Sequence, residues 1–187
     1  MALLSVVRLR RWHAAAALVW LLSGLAVSAQ SQPAAIEANF RAVFLYNFSK
    51  YVTWPALAIG ERSPAAVRIC VTRNDSFFAL LKSAVEGEDI NGKPLVPVAL
   101  TSLDEAKTCQ ILYVGDARTA DAQAWLAAVR TSQVLTVSDG GLNDDTAIAF
   151  VRDDNRMRFD INRGVAARHR LHISSKLLRL ARQVRER

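Results

Sequence analysis

Between Glu37 and Pro55 the chain reads EANFRAVFLYNFSKYVTWP, and few arrangements can accommodate such a stretch. At helical period Ile36, Phe40, Val43, Phe44 and Tyr51 fall on one face, and Leu45, Phe48 and Val52 widen it past half the circumference. Asn39, Ser49 and Lys50 hold the rest. A surface helix carries a narrower apolar stripe, so this helix is expected to be largely buried. Pro55 disfavours the α conformation in the residue before it, so the helix is expected to end near Trp54. Asn47 sets an amide inside the apolar arc and needs a partner, since an unsatisfied amide costs about 1–3 kcal/mol.

Downstream, short β-branched runs alternate with helical ones. Strands are expected at Ala66 to Thr72, Leu95 to Leu100, Gln110 to Val114 and Gln133 to Val137. Pro94 and Pro97 each remove a ladder donor, which places the second strand at a sheet edge. Helices are expected from Ser76, capped by Asn74 or Asp75, and from Ser102, where Ser102 and Glu105 form a capping box. Another runs from Asp116–Thr119 to about Arg130, with Ala122, Trp125, Leu126 and Val129 inward. Ala147 to Arg152 and Met157 to Ile161 read as a hairpin. A short helix over Asn162 to His169 and a final one over Lys176 to Arg185, capped by Ser174 or Ser175, close the chain. This alternation predicts an α/β domain: a mainly parallel sheet flanked by helices on both faces, with a C-terminal antiparallel hairpin.

The N-terminus has a separate meaning. Arg8, Arg10 and Arg11 precede an apolar run from Ala14 to Leu22, and Val27-Ser28-Ala29 offers a small-residue cleavage site. Residues 1–29 are therefore expected to be a cleaved secretory signal peptide, leaving 30–187 as one domain. Ser23 and Gly24 break the run short of the roughly 20 residues a membrane span needs. The formal net charge of +7 falls to +4 once the leader's three arginines leave. With that exported address, and with scattered bases, a nucleic-acid partner is not expected. Lys176, Arg179, Arg182, Arg185 and Arg187 are the exception, and they suit the C-terminal end of a helix dipole. In an oxidising compartment the two cysteines, Cys70 and Cys109, read as one disulfide closing a loop of about forty residues. A regulatory role on top of a structural one stays open.

Signals for chemistry are missing. No glycine-rich loop follows a strand, so no dinucleotide or nucleotide cofactor is expected. His169 and His172 lack a neighbouring carboxylate or cysteine and read as surface residues rather than metal ligands. No nucleophile–base set stands at recognisable spacing, so no enzyme is expected. Ser138-Asp139-Gly140-Gly141 and Asp144-Asp145 follow a parallel strand, where ligands of open α/β sheets sit, but their composition reads first as a plain turn. Asp153-Asp154-Asn155 is too short for calcium and reads as a hairpin tip. Two features suggest binding. Tyr46, Tyr51 and Trp54 leave self-association as a homodimer open, since aromatics are enriched at interfaces. The hairpin alternates Arg156, Arg158 and Asp160 with Met157, Phe159 and Ile161, giving one basic face; a solvated edge that resists aggregation gives the same pattern.

Several segments resemble one family. Ala42-Val43-Phe44-Leu45-Tyr46-Asn47-Phe48-Ser49-Lys50-Tyr51-Val52-Thr53-Trp54-Pro55 looks like the opening signature of YfiR-like periplasmic proteins. Cys109 to Gly115, Val134 to Asp139, Ala149 to Asn162 and Ile173 to Ala181 follow in the same order. The resemblance implies a non-enzymatic periplasmic regulator that binds the sensing domain of an inner-membrane diguanylate cyclase and represses it, lowering cyclic di-GMP and biofilm growth. It implies that an outer-membrane lipoprotein can sequester the repressor, and that relatives serve other membrane sensors. Cys70 and Cys109 match a family disulfide; a second pair found in some relatives near the hairpin is missing here. On this reading the exposed hairpin face, Arg152, Asn155, Arg156 and Arg158, is expected to bind the partner, with Phe150 as an apolar anchor.

Overall fold

The buried side of the first helix keeps Leu45 and Phe48 of the expected apolar arc but turns away from its Ile36 and Val43 edge. In the computed structural model, which describes residues 32–55, 64–72, 75–154 and 156–186, α1 spans Gln32–Tyr51. Pro33 is tolerated in the first turn, where no intrahelical donor is lost. Ala42, Leu45, Phe48 and Ser49 are buried, while Ile36 is 69% and Val43 47% exposed. Apolar residues lie all round this helix, so their spacing does not choose a side. The choice falls to fit: Phe48 sits 5.8 Å from the Phe150 ring and 5.4 Å from Phe159, centroid to centroid. Asn47 ends half-exposed, where water can satisfy its amide. The helix also stops earlier than Pro55 alone requires. β1, Val52–Thr53, is extended and pairs antiparallel with β9, His172–Ile173, and Trp54 Nε1 donates to the Gln110 carbonyl at 3.1 Å.

The main sheet uses the remaining strands: β2 (Val67–Thr72), β3 (Asp89–Ile90), β4 (Lys93–Leu100), β5 (Ile111–Asp116), β6 (Leu135–Asp139), β7 (Ile148–Asp153), β8 (Arg156–Asn162) and β10 (Gln183–Arg185). Its order is β10-β8-β7-β6-β5-β2-β4-β3. From β4 to β7 neighbouring strands are parallel, and the five follow the doubly wound order 2-1-3-4-5 in chain sequence. β8 turns back antiparallel to β7 as the expected hairpin. Among the described residues only the two-residue β3 lies outside β4, so Pro94 and Pro97 do sit next to an edge.

One face of the sheet carries α1 and α2, Asp75–Val85, which sets Phe77, Leu81 and Val85 into the core. Val67, Ile69, Val71, Ile111, Tyr113, Phe150, Phe159 and Ile161 meet them there. The other face carries a single 3-10 turn, Glu105–Thr108, and α3, Ala120–Ala128. Ala122, Trp125, Leu126 and Val129 of that layer cover Cys70, Leu112 and Val114. Thr119 caps α3 by accepting from the Ala122 amide at 3.2 Å. The expected capping box yields only the 3-10 turn: Glu105 reaches back to the Thr101 amide at 3.2 Å, and that bond lowers its carboxyl pKa.

The C-terminus departs from expectation. α4, Arg163–Arg168, starts one residue later than expected, with Asn162 as its cap, and α5, Ser175–Leu180, is capped by Ser174, one of the two serines expected there. The final helix then stops at Leu180, and Gln183–Arg185 becomes β10, parallel to β8. The free edge of β8 offers backbone partners, and Asp160 offers a carboxylate: Arg182 donates its amide to the Phe159 carbonyl and its Nε to Asp160, both at 2.9 Å. A short helix gains less from one further turn. The basic residues expected to face a helix dipole are thus divided, with Arg182 paired to Asp160 and Arg185 on the edge strand; Arg187 lies outside the described residues, as does the expected leader.

Candidate functional site

The hairpin and the carboxyl ends of the parallel strands form one polar rim. Asp139 closes β6, and Tyr113 Oη donates to its Oδ2 at 2.7 Å while Arg41 Nε donates to Oδ1 at 2.8 Å. Arg41 also approaches Glu37, at 3.7 Å, and Glu37 in turn pairs with Arg152 of the hairpin. The network ties the inner helix to two strands and the hairpin. Burial pushes the Tyr113 hydroxyl well above the usual phenol range, and the negative Asp139 pushes it further, so it acts as a fixed donor. Burial works against the Arg41 charge, but Asp139 outweighs it and the guanidinium is held more firmly protonated than usual. Beside this network, at the end of β5, Arg118 holds the Asp116 carboxyl down at about 2. A cleft of about 490 Å3 opens here, lined by Glu37, Arg41, Gly140, Gly141 and Arg152, and reaching Asp160 and Arg182. Gly140 and Gly141 have φ of 85° and 113°, a region that favours glycine, and begin a return to β7 that has no helix.

The expected partner-binding residues do not share one surface. Phe150 is 1% exposed and packs on Phe40, Phe48 and Tyr113, so it supports the hairpin from the core side and is not an anchor for another protein. The register explains this: Phe150 lies opposite Phe159, and both point under α1. Arg152 shares that face and reaches Glu37. Arg156 and Arg158 lie on the other face, exposed and without an ion pair among the described residues. Asp160, two positions on, is 4% exposed and belongs to Arg182 rather than to an outer charged face. Asn155 lies outside the described residues; Asp154 beside it takes φ 52° at the tip.

Cys70 and Cys109 are joined, with Cα atoms 5.9 Å apart, and the bridge is buried beneath the 3-10 turn and α3. It links β2 to the entry of the neighbouring strand β5. Among the described residues no group of three His, Cys, Asp or Glu side chains is placed to hold a metal ion. His172 is exposed, but His169 is 2% exposed at the C-terminal end of α4, so it is not the surface residue its sequence suggests. Burial lowers its pKa below the usual 6.5. The unfolded chain then binds a proton that the native one does not, so His169 costs stability as pH falls below about 6.5 and none above it. Thermal unfolding at pH 7 and pH 5 should show a fall in Tm that His169→Gln reduces; an equal fall in both proteins would remove His169 as its source.

The residues that sequence reasoning missed are Glu37, Arg41, Tyr113 and Arg182. Arg41 and Asp139 stand 98 positions apart. The one hint was the location of Ser138–Gly141 after a parallel strand, where open α/β sheets place ligands.

The fold and this rim define a small doubly wound α/β domain presenting an arginine-bearing hairpin, in which no described helix is long and apolar enough to cross a membrane. The chain belongs to the YfiR/HmsC-like family, whose model matches residues 38–182. The family is one of periplasmic regulatory proteins. No curated protein matches the chain. Among solved structures it is similar to a conserved domain protein from Vibrio cholerae O1 biovar El Tor, at 16% identity and TM-score 0.47, covering 65% of this chain and 56% of that one. It is also similar to an ABC domain in complex with L-Trp from Streptococcus pneumonia, at 12% identity and TM-score 0.41, covering 63% and 55%. The chain thus spans little more than half the length of either.

Proposed function

We propose that the mature chain, from residue 30 after cleavage of the signal peptide, is a periplasmic repressor. It binds the periplasmic sensing domain of an inner-membrane diguanylate cyclase, holds it inactive and so lowers cyclic di-GMP and biofilm formation. Binding only the inactive conformation shifts the cyclase population by the difference in affinity between its two states. An outer-membrane lipoprotein that sequesters the repressor relieves the inhibition. The observation that carries the reading is the pair Arg156 and Arg158: exposed, unpaired among the described residues, and mounted on a hairpin whose other face is fixed by Phe150 and Phe159. Such arginines lose little freedom beyond their own rotamers on binding, and arginine is enriched among residues that dominate interface energy. Arg152, on the opposite face of the hairpin, is held by Glu37 and contributes at the edge of the interface, and Asn155 is assigned to the same interface from the sequence alone.

Immobilised mature domain should retain, from solubilised membranes, a protein with a periplasmic sensor and a diguanylate cyclase domain. Exchanging Arg156 and Arg158 for glutamate should weaken that capture by about 30-fold or more, as expected when hot-spot residues are lost, with Tm unchanged. Undiminished capture by the double variant would remove the hairpin from the interface.

The cleft beside Asp139 supports a second reading, a module that binds a small ligand and passes the signal to a membrane sensor. Gly140 and Gly141, from the segment singled out in the sequence, line it. A compound that raises Tm in proportion to the logarithm of its concentration, and fails to do so with Asp139→Asn, would favour this reading.

A further inference from the structure

The basic residues are not scattered along the mature chain. Residues 156–187 hold ten of the 24 Lys and Arg and two of the 17 Asp and Glu, whereas residues 36–155 hold eleven bases and fifteen acids. Both C-terminal acids are consumed locally: Asp160 pairs with Arg182, and Glu186 with Arg163 at 2.7 Å. Lys176, Arg179 and Arg185 are exposed and make no ion pair among the described residues. They belong to α5 and β10, which only Ala181 and Arg182 separate, and β10 is the outermost strand on its side of the sheet.

Exposed apolar side chains stand among these cations. Leu180 is 55% and Val184 37% exposed, one next to Arg179 and the other next to Arg185. All three residues of β10 are exposed. Cations alone would suit any acidic surface. Cations interleaved with exposed leucine and valine match an interface where headgroups meet acyl chains, since the apolar side chains enter while the arginines stay at the phosphates.

We propose that the α5–β10 edge, through Lys176, Arg179, Leu180, Val184 and Arg185, is an adsorption face for an anionic phospholipid surface. A protein held there by its basic end turns its net acidic body away from the bilayer. Binding is peripheral and reversible, because five side chains give far less than a spanning helix. The inference uses the periplasmic setting of the family but not the choice of partner, and its residues differ from Arg156 and Arg158. Its failure and that of the hairpin interface can therefore be told apart.

The test is sedimentation of the mature chain with vesicles of phosphatidylcholine, with and without about one-third phosphatidylglycerol, at low and physiological salt. The chain should bind the anionic vesicles only, and less at the higher salt as screening increases. Arg179→Glu with Arg185→Glu should weaken binding by at least about 25-fold, at about five-fold for each cation near the surface. Leu180→Ser with Val184→Ser should weaken it further at physiological salt, where the apolar contribution persists. Both variants alter exposed side chains, and an unchanged Tm shows that each is folded; if one is not, the other carries the comparison. No binding to anionic vesicles at low salt overturns the proposal. So does binding that the Leu180 and Val184 changes leave intact and that polyglutamate displaces, which would mark the edge as a docking face for an acidic protein.

Discussion

Removing the disulfide should cost this domain about 4 kcal/mol. The bridge between Cys70 and Cys109 closes a loop of 39 residues, and in the chain-entropy treatment that restriction of the unfolded chain is worth about 4 kcal/mol at 25 °C. The cysteines are 0% and 2% exposed, with α3 residues packed over them, so reduction is expected to need partial opening of that layer. Urea denaturation of the oxidised protein, the same protein under reductant, and Cys70→Ala with Cys109→Ala measures the effect directly. With a slope of about 2 kcal/mol per molar, typical for small domains, the midpoint should fall by about 2 M in both reduced and alanine forms. A fall below about 0.5 M would mean that the unfolded chain is already confined between β2 and β5, and that the bridge serves another purpose.

The second large effect concerns the inner helix. Phe48→Ala should destabilise by about 3–5 kcal/mol, since the side chain is fully buried and contacts the rings of Phe44, Phe150 and Phe159. Val43→Ala, five residues earlier on the exposed side, should change stability by no more than about 0.5 kcal/mol. The contrast is sharp because the two positions exchange roles if the helix is turned over. Equilibrium unfolding of the two variants settles the orientation: a larger loss for Val43→Ala than for Phe48→Ala would contradict the packing described above. Phe48→Ala should also weaken partner capture in proportion to the unfolded fraction, because Phe150 and Phe159 support the hairpin from beneath.

Much of the architecture was legible because local signals agreed with the tertiary outcome. Strand–helix alternation, the edge prolines Pro94 and Pro97, the helix starts near Thr119 and Asn162, the cap at Ser174, and the hairpin around Asp153–Arg156 each follow from a few adjacent residues. What could not be read depends on contacts distant in sequence. The buried side of α1 is set by Phe150 and Phe159, over a hundred residues away, and not by its own nearly uniform apolar content. The last helix yields to β10 because β8 has a free edge and Asp160 a carboxylate for Arg182. Phe150 moved from candidate anchor to core because the pleat aligns it with Phe159. At the candidate site, Arg156 and Arg158 were visible as an alternating pattern. The network from Tyr113 through Asp139, Arg41 and Glu37 to Arg152 joins four separate elements and left no local trace.

A repressor of the proposed kind acts by holding a membrane cyclase in its inactive state. The most direct measurement is the rate of cyclic di-GMP formation by the captured full-length cyclase in detergent or nanodiscs, with increasing mature domain. Saturable suppression is expected from the wild-type domain, and little from the domain carrying Arg156→Glu and Arg158→Glu. An unchanged rate with the wild-type domain, or equal suppression by both proteins, would contradict it.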